Sequence, residues 1–270
     1  MFLKKIIFTI IFITSLSSCG NFHRIMKSTD LSEQYAAAEK YYLKGDYFHA
    51  QQLYDILITY YRGLPEAEKI YFYYSYCYYG MGDNVTAAYY FKTFATTYPT
   101  SKYARECQFM SAYCTYLDSP EYSLDQTNTL SAIKELQLFV NMFPASDTVK
   151  LCNTLIDELR FKLETKEFET SKLYYRLEEY KSSVVSFRNT LKDYPSTSYK
   201  EEILYYIVKA NYEYASNSIA SKKAARFQDT MDAYDEFITA FPQSKYLKEA
   251  ETINKNALKE LTKVKGNKTS

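Results

Sequence analysis

The chain has 270 residues, with 33 Lys and Arg against 32 Asp and Glu, and only 6 Gly and 6 Pro. So few turn formers exclude turn-rich β-barrels, collagen and low-complexity linkers, and a net charge of +1 gives no counterion-release drive toward nucleic acid. Hydrophobic residues make up 47%, too many for a disordered chain, and their aromatic part is unusual: 31 Tyr, 17 Phe and no Trp, a composition suited to helix packing and binding surfaces.

The chain opens with a segment that reads as an address. Lys4 and Lys5 give a positive start, and an apolar run from Ile6 to Ile13 follows. That run is too short for a permanent membrane span, which needs about 20 apolar residues. It ends in Leu16-Ser17-Ser18-Cys19, which resembles the bacterial lipobox. The resemblance implies a signal peptide over 1–18 and a Cys19 thiol that carries diacylglycerol. Gly20, where inner-membrane retention uses aspartate, implies the outer membrane. Residues 19–30 are expected to be a lipidated tether. No later segment is long and apolar enough to cross a membrane.

An aromatic-Pro dipeptide then recurs, as Tyr98-Pro99, Phe143-Pro144, Tyr194-Pro195 and Phe241-Pro242. The intervals are roughly 45 to 50 residues, the scale of a repeat array. Proline cannot continue a helix, and it disfavours helical geometry in the residue before it. Ser101, Ser146, Ser198 and Ser244 follow the four stops, and serine is a good helix N-cap. Counting back five, eight and twelve residues from each proline finds Phe94, Phe91 and Ala87; Phe139, Leu136 and Ala132; Thr190, Phe187 and Ser183; Phe237, Tyr234 and Thr230. Those offsets make one helical stripe.

Gly45-Asp46-Tyr47 and Gly82-Asp83 read as tight turns inside helix pairs, with Glu179-Tyr180 in the matching place of a later pair. Together with Ala50, Tyr54, Ala87 and Phe91, these residues resemble the tetratricopeptide repeat. The resemblance implies an all-α, superhelical array of about five helix pairs over 31–261, with units 31–65, 66–100, 101–145, 146–197 and 198–261. Longer turns are expected over 117–128 and 217–225, and a disordered tail over 262–270. The repeat register turns Tyr35, Glu39, Tyr42, Phe72, Tyr76 and Tyr79 toward an inner groove and leaves Tyr41, Tyr74 and Tyr78 to packing.

Little in the chain carries chemistry. His23 and His49 are the only histidines, too few for a metal site or a histidine-based catalytic set. No phosphate loop, His-Glu-x-x-His or Gly-x-Ser-x-Gly occurs. The expectation is a non-enzyme with no cofactor and no metal. Cys77, Cys107, Cys114 and Cys152 remain after lipidation. Cys107 and Cys114 are too far apart on one helix to bond; Cys77 and Cys114 are open to pairing, and four buried thiols are the plainer expectation.

The whole pattern resembles the BamD (YfiO) family of outer membrane assembly lipoproteins. The most specific stretches are Tyr35-Ala36-Ala37-Ala38-Glu39 with Gly45-Asp46-Tyr47, Glu167-Phe168-Glu169 with Tyr174-Tyr175, and Asp193-Tyr194-Pro195-Ser196-Thr197. A further stretch runs from Phe237 to Tyr246. The resemblance implies a lipid-anchored scaffold of the β-barrel assembly machinery on the periplasmic face of the outer membrane. It would receive unfolded outer membrane proteins on its N-terminal units. Its C-terminal units would dock on the POTRA domain of a BamA-like insertase, with other assembly lipoproteins nearby, and Arg188 and Lys192 mark the region to watch. The residues also fit a periplasmic repeat lipoprotein serving cell-wall or division machinery, or, from another class, an enzyme or solute-binding lipoprotein with an unrecognised pocket.

Overall fold

A computed structural model describes residues 21–266. Cys19, the lipobox and the signal segment lie outside the described residues, as do residues 267–270. Every regular element among the described residues is a helix. The chain divides into two compact units. The first holds the chain up to Pro120 together with Asp125–Leu159, and the second holds Glu121–Leu124 together with the chain from Arg160 onward.

The first unit contains α1 (Leu31–Leu43), α2 (Tyr47–Tyr60), α3 (Ala67–Gly80), α4 (Asn84–Thr97), α5 (Ala104–Leu117), α6 (Thr127–Met142) and the start of α7 (Val149–Arg176). Consecutive helices pack on one another. The fully buried residues Ala50, Leu53, Tyr54 and Leu57 close α2 against α1 and α3, and Ala87, Phe91 and Phe94 close α4 against α3 and α5. The second unit contains the rest of α7, then α8 (Tyr180–Asp193), α9 (Lys200–Ser216), α10 (Ala220–Ala240) and α11 (Leu247–Gly266). Phe187, Ile203, Ile207 and Phe237 form its main core. The all-α succession of helix pairs is as the sequence implies.

The aromatic-Pro dipeptides end helices as expected. Tyr98, Phe143, Tyr194 and Phe241 are the C-caps of α4, α6, α8 and α10, with φ between −136° and −123°. The backbone N–H of each still reaches the carbonyl four residues back, at 2.8 or 2.9 Å. The serines do not cap the next helices. Ser101, Ser146 and Ser244 each accept the backbone N–H two residues on, at 3.0 to 3.3 Å, and at the third stop Thr197 does this in place of Ser198. The hydroxyl thus stiffens a turn, and the helix begins three residues later.

The stripe before each stop is buried except at Tyr234, which is half-buried while its neighbour Ala233 takes the core position. Inside the pairs, Gly45 and Gly82 adopt φ of 76° and 78°. The matching residue of the fourth pair is Glu178, at φ 61°, the left-handed region that a side chain disfavours. Asp46 and Asp83 accept the backbone N–H of His49 and Thr86, whereas Glu179 makes no side-chain cap.

Several boundaries differ from expectation. Residues 21–26 form a helical turn and not a free tether, because Phe22, Ile25 and Met26 find the apolar surface of α1 and α2. The long turn expected over 217–225 shrinks to 217–219. Arg226 lies over the Tyr214 ring at 3.8 Å and bonds the Ser218 hydroxyl, and this lets α10 start at Ala220. The last unit carries a third helix, α11, whose Ala250, Ala257 and Leu261 are buried. That helix covers the end of the array and runs through 262–266, where a disordered tail was expected.

The third-unit loop is short-circuited by a lysine. Lys166 of α7 donates to the carbonyls of Tyr122, Ser123 and Leu124 at 3.2, 3.4 and 2.7 Å. The four remaining cysteines are free and buried, and burial pushes the Cys77 and Cys114 thiols up to about 12. Cys77 and Cys114 belong to different core clusters, so the pairing left open by the sequence is not made.

Two outcomes follow from these local features. Glu178→Gly removes a left-handed side-chain residue and stabilises the second unit by about 1 kcal/mol. Thermal unfolding should show a higher midpoint, and an unchanged one would argue against strain at that residue. Lys166→Met leaves three loop carbonyls without their donor. Hydrogen exchange around residues 121–126 should accelerate while the far-ultraviolet dichroism stays the same.

Candidate functional site

The first helices of three pairs, α3, α7 and α9, each present a ring, and the helix two further along the chain supplies a partner ring from its own start. In the first unit Phe72 of α3 stacks on Tyr103, with centroids 4.4 Å apart and planes at 27°. In the second, Phe168 of α7 stacks on Tyr199 at 4.2 Å and Tyr205 of α9 on Tyr246 at 4.3 Å, both at 8°. The three tyrosines hold one sequence position, two residues after the turn hydroxyls of Ser101, Thr197 and Ser244. Three residues further on stand Glu106, Glu202 and Glu249, in the first turn of the new helix.

Each of these carboxylates reaches back to the residue one helical turn beyond the first ring. Tyr76 donates its hydroxyl to Glu106 at 2.6 Å, Lys172 donates to Glu202 at 3.2 Å, and Lys209 lies 3.2 Å from Glu249. The spacing of four puts ring and polar group on one face of a helix. The first junction runs the other way round. There Glu39 is on the earlier helix and Lys69 on the later one, 2.6 Å apart, and the Lys69 ammonium lies 5.6 and 5.8 Å from the Tyr35 and Tyr73 rings.

These contacts tune the groups. The hydrogen bond from Lys69 to Glu39 holds the Lys69 ammonium well above its usual range. Burial raises the Tyr76 phenol, and its bond to Glu106 raises it further. The Tyr205 hydroxyl, with Lys209, holds Glu249 below the usual carboxylate range. Burial pushes Tyr42 up to about 12.

The predicted groove residues are brought together, but not all as lining. Tyr35, Glu39 and Tyr42 meet through Lys69 and Tyr73, whose ring is 4.7 Å from Tyr42. Tyr76 and Tyr79 continue the row, 6.2 Å apart. Phe72 is buried at 7% exposure under Tyr103, so it supports the row from beneath. Tyr41, Tyr74 and Tyr78 pack between helices, and Tyr74 donates to Asp55 at 2.9 Å. The sequence reading missed Lys69, Tyr73, Tyr103 and Glu106 in the first unit, and Lys172, Tyr199, Glu202, Lys209, Tyr246 and Glu249 in the second. The signal was present as a hydroxyl residue, any residue, Tyr, two residues and Glu after three of the four aromatic-Pro stops. After Pro144 the tyrosine position is Thr148 and no such stack forms.

Arg188 is not free for a partner. Its guanidinium holds Glu236 of α10 through two contacts of 2.7 and 2.6 Å. Lys192, one turn further along α8, is exposed. An open cleft of about 440 Å³ lies between α7 and α8, lined by Tyr174, Lys181, Ser182, Val185, Ser186 and Asn189.

Among the described residues no group of His, Cys, Asp and Glu is placed to hold a metal ion, and no helix is long and apolar enough to cross a membrane. The faces just described offer stacking surfaces and fixed charges. The family model for YfiO, described as an outer membrane lipoprotein, matches residues 27–227. The chain belongs to the YfiO family. It is accordingly an outer membrane lipoprotein, and the YfiO match takes in the first four helix pairs, α9 and part of α10. No curated protein matches the chain.

The packed phenols set an alkaline limit. Burial pushes Tyr42, Tyr71 and Tyr175 up to about 12 from an ordinary 10. A group raised in the folded state stabilises it fully below the unfolded pKa and loses that contribution as pH rises through the folded one. Melting midpoints should therefore hold near neutral pH and fall steeply between pH 10 and 12. A flat midpoint across that window would mean that these rings are solvated.

Proposed function

We propose that the chain is a non-catalytic, lipid-anchored scaffold of the β-barrel assembly machinery on the periplasmic face of the outer membrane. It needs no cofactor. Its signal peptide covers residues 1–18, and its anchor is an acylated Cys19. The first unit holds unfolded outer membrane proteins, and the second docks on the POTRA domain of a BamA-like insertase.

One observation carries the reading. In the first unit the row of Tyr35, Tyr73, Tyr42, Tyr76 and Tyr79 is threaded by Glu39, Lys69 and Glu106. An extended client with alternating aromatic side chains meets rings to stack on and fixed charges to satisfy its backbone. Such a grip tolerates many sequences and releases readily, as a handover step requires. Family membership supports the setting at the outer membrane. For the docking face, the exposed Lys192 and the cleft beside Val185 are the candidates in place of Arg188, whose charge is already engaged.

The test joins a photo-crosslinker with a pulldown. Crosslinkers at Tyr42 and Tyr76 should capture nascent barrel proteins, and mild detergent extraction of envelopes should recover a BamA-like insertase with the chain. Capture only from the opposite helix faces, or recovery of murein enzymes without the insertase, would remove the assignment.

A further inference from the structure

Two peptide links separate Cys19 from Asn21, the first described residue, a reach of at most about 7 Å. From there the chain is already fixed to the first helix pair. The Phe22 ring lies 4.2 Å from His49 and 5.6 Å from Tyr41. Ile25 is buried. The buried Gln34 amide donates to the carbonyls of Ile25, Met26 and Ser28 at 3.2, 3.4 and 3.0 Å, and Arg24 pairs with Glu33 at 2.8 Å. An acyl group on Cys19 therefore has almost no slack. It holds whatever surrounds Phe22 close to the bilayer.

What surrounds Phe22 is the turn between α1 and α2. His49 stands in the first turn of α2, beside Phe48. Leu43 is 83% exposed and Phe48 is 61% exposed, on either side of Gly45 and Asp46. The local carboxylates are all engaged. Asp30 caps α1, Glu33 pairs with Arg24, Glu39 with Lys69 and Asp46 with His49. Lys27, Lys40 and Lys44 are exposed, and among the described residues they form no ion pair.

We propose that this hairpin tip is a second membrane contact. Leu43 and Phe48 enter the boundary between headgroups and acyl chains, while Lys40 and Lys44 hold lipid phosphates. Two bare apolar side chains flanked by unpaired lysines match the chemistry of a bilayer surface that carries anionic lipid. The lysine stems reach back along apolar surface to place their charge at headgroup level. The acyl chains already supply affinity, so the tip supplies orientation. It sets how the first pair stands on the membrane, and hence which way the Tyr42 row faces. This inference rests on the anchored-lipoprotein reading above.

Because the chain contains no Trp, a single introduced one reports without background. Leu43→Trp and Tyr60→Trp are compared in the full mature chain, recovered from membranes and reconstituted in vesicles. The vesicles contain phosphatidylethanolamine and phosphatidylglycerol with brominated acyl chains. Tyr60 is exposed at the far end of α2, about 18 Å along the axis from Phe48. The expected result is blue-shifted, bromine-quenched emission from Leu43→Trp and water-like emission from Tyr60→Trp. The Leu43→Trp quenching should weaken when Lys40→Glu and Lys44→Glu are added, or when phosphatidylglycerol is left out. The intact mass is measured on each sample. An acylated mass with water-like emission from Leu43→Trp, or equal quenching at both positions, overturns the proposal alone. A mass without acyl groups overturns the anchor and the proposal together. Shielding of Leu43→Trp in native envelopes but not in protein-free vesicles assigns the tip to a protein and also overturns it.

Discussion

The structure depends on one constraint, the impossibility of continuing a helix through an aromatic-Pro dipeptide. At Tyr98, Phe143, Tyr194 and Phe241 the backbone leaves helical geometry, completes one last hydrogen bond and turns. Proline removes both the donor and the room for another turn of helix. The ring before it caps the core, as Phe143 does at 5.2 Å from Phe139. A hydroxyl two residues after the proline fixes the turn at all four stops, and a new helix starts almost at once.

Because the stop fixes where the next helix begins, it also fixes what that helix brings. Tyr103, Tyr199 and Tyr246 arrive at the position that lets them stack on the preceding first helix, and Glu106, Glu202 and Glu249 arrive one turn later. A packing device and a polar face come from the same few residues. The rings bury apolar area, and the carboxylates are bound by a phenol or an ammonium. The partly exposed pairs add little to stability on their own. Their effect is to fix which groups face outward from the first helices.

The reversal at the first junction gives that pair of helices a different character. Glu39 and Lys69 exchange the places that cation and carboxylate hold in the second unit, and Tyr35 and Tyr73 flank the ammonium. The same helix pair carries the docked segment 21–26 and the exposed tip at Leu43 and Phe48. The docked segment, the exposed tip and the aromatic row thus meet within the N-terminal part of the first unit.

The sequence by itself determined the all-α class, the helix stops and the buried stripes. These are local effects: proline acts on its own neighbourhood, and apolar spacing of three and four needs only one helix to be read. It also held the glycine turns at Gly45 and Gly82, because a left-handed residue is written in its own identity. Tertiary structure decided the rest. Only the surface of α1 and α2 could turn residues 21–26 from a tether into a docked helix, and only Tyr214 and Ser218 could bring α10 forward to Ala220. Phe72 moved from groove to support because Tyr103, distant in sequence, lies on its face. Arg188 lost its free charge to Glu236 for the same reason. The contact between Arg188 and Glu236, 48 residues apart, leaves no periodic mark on either helix, so it becomes visible only when the helices are packed.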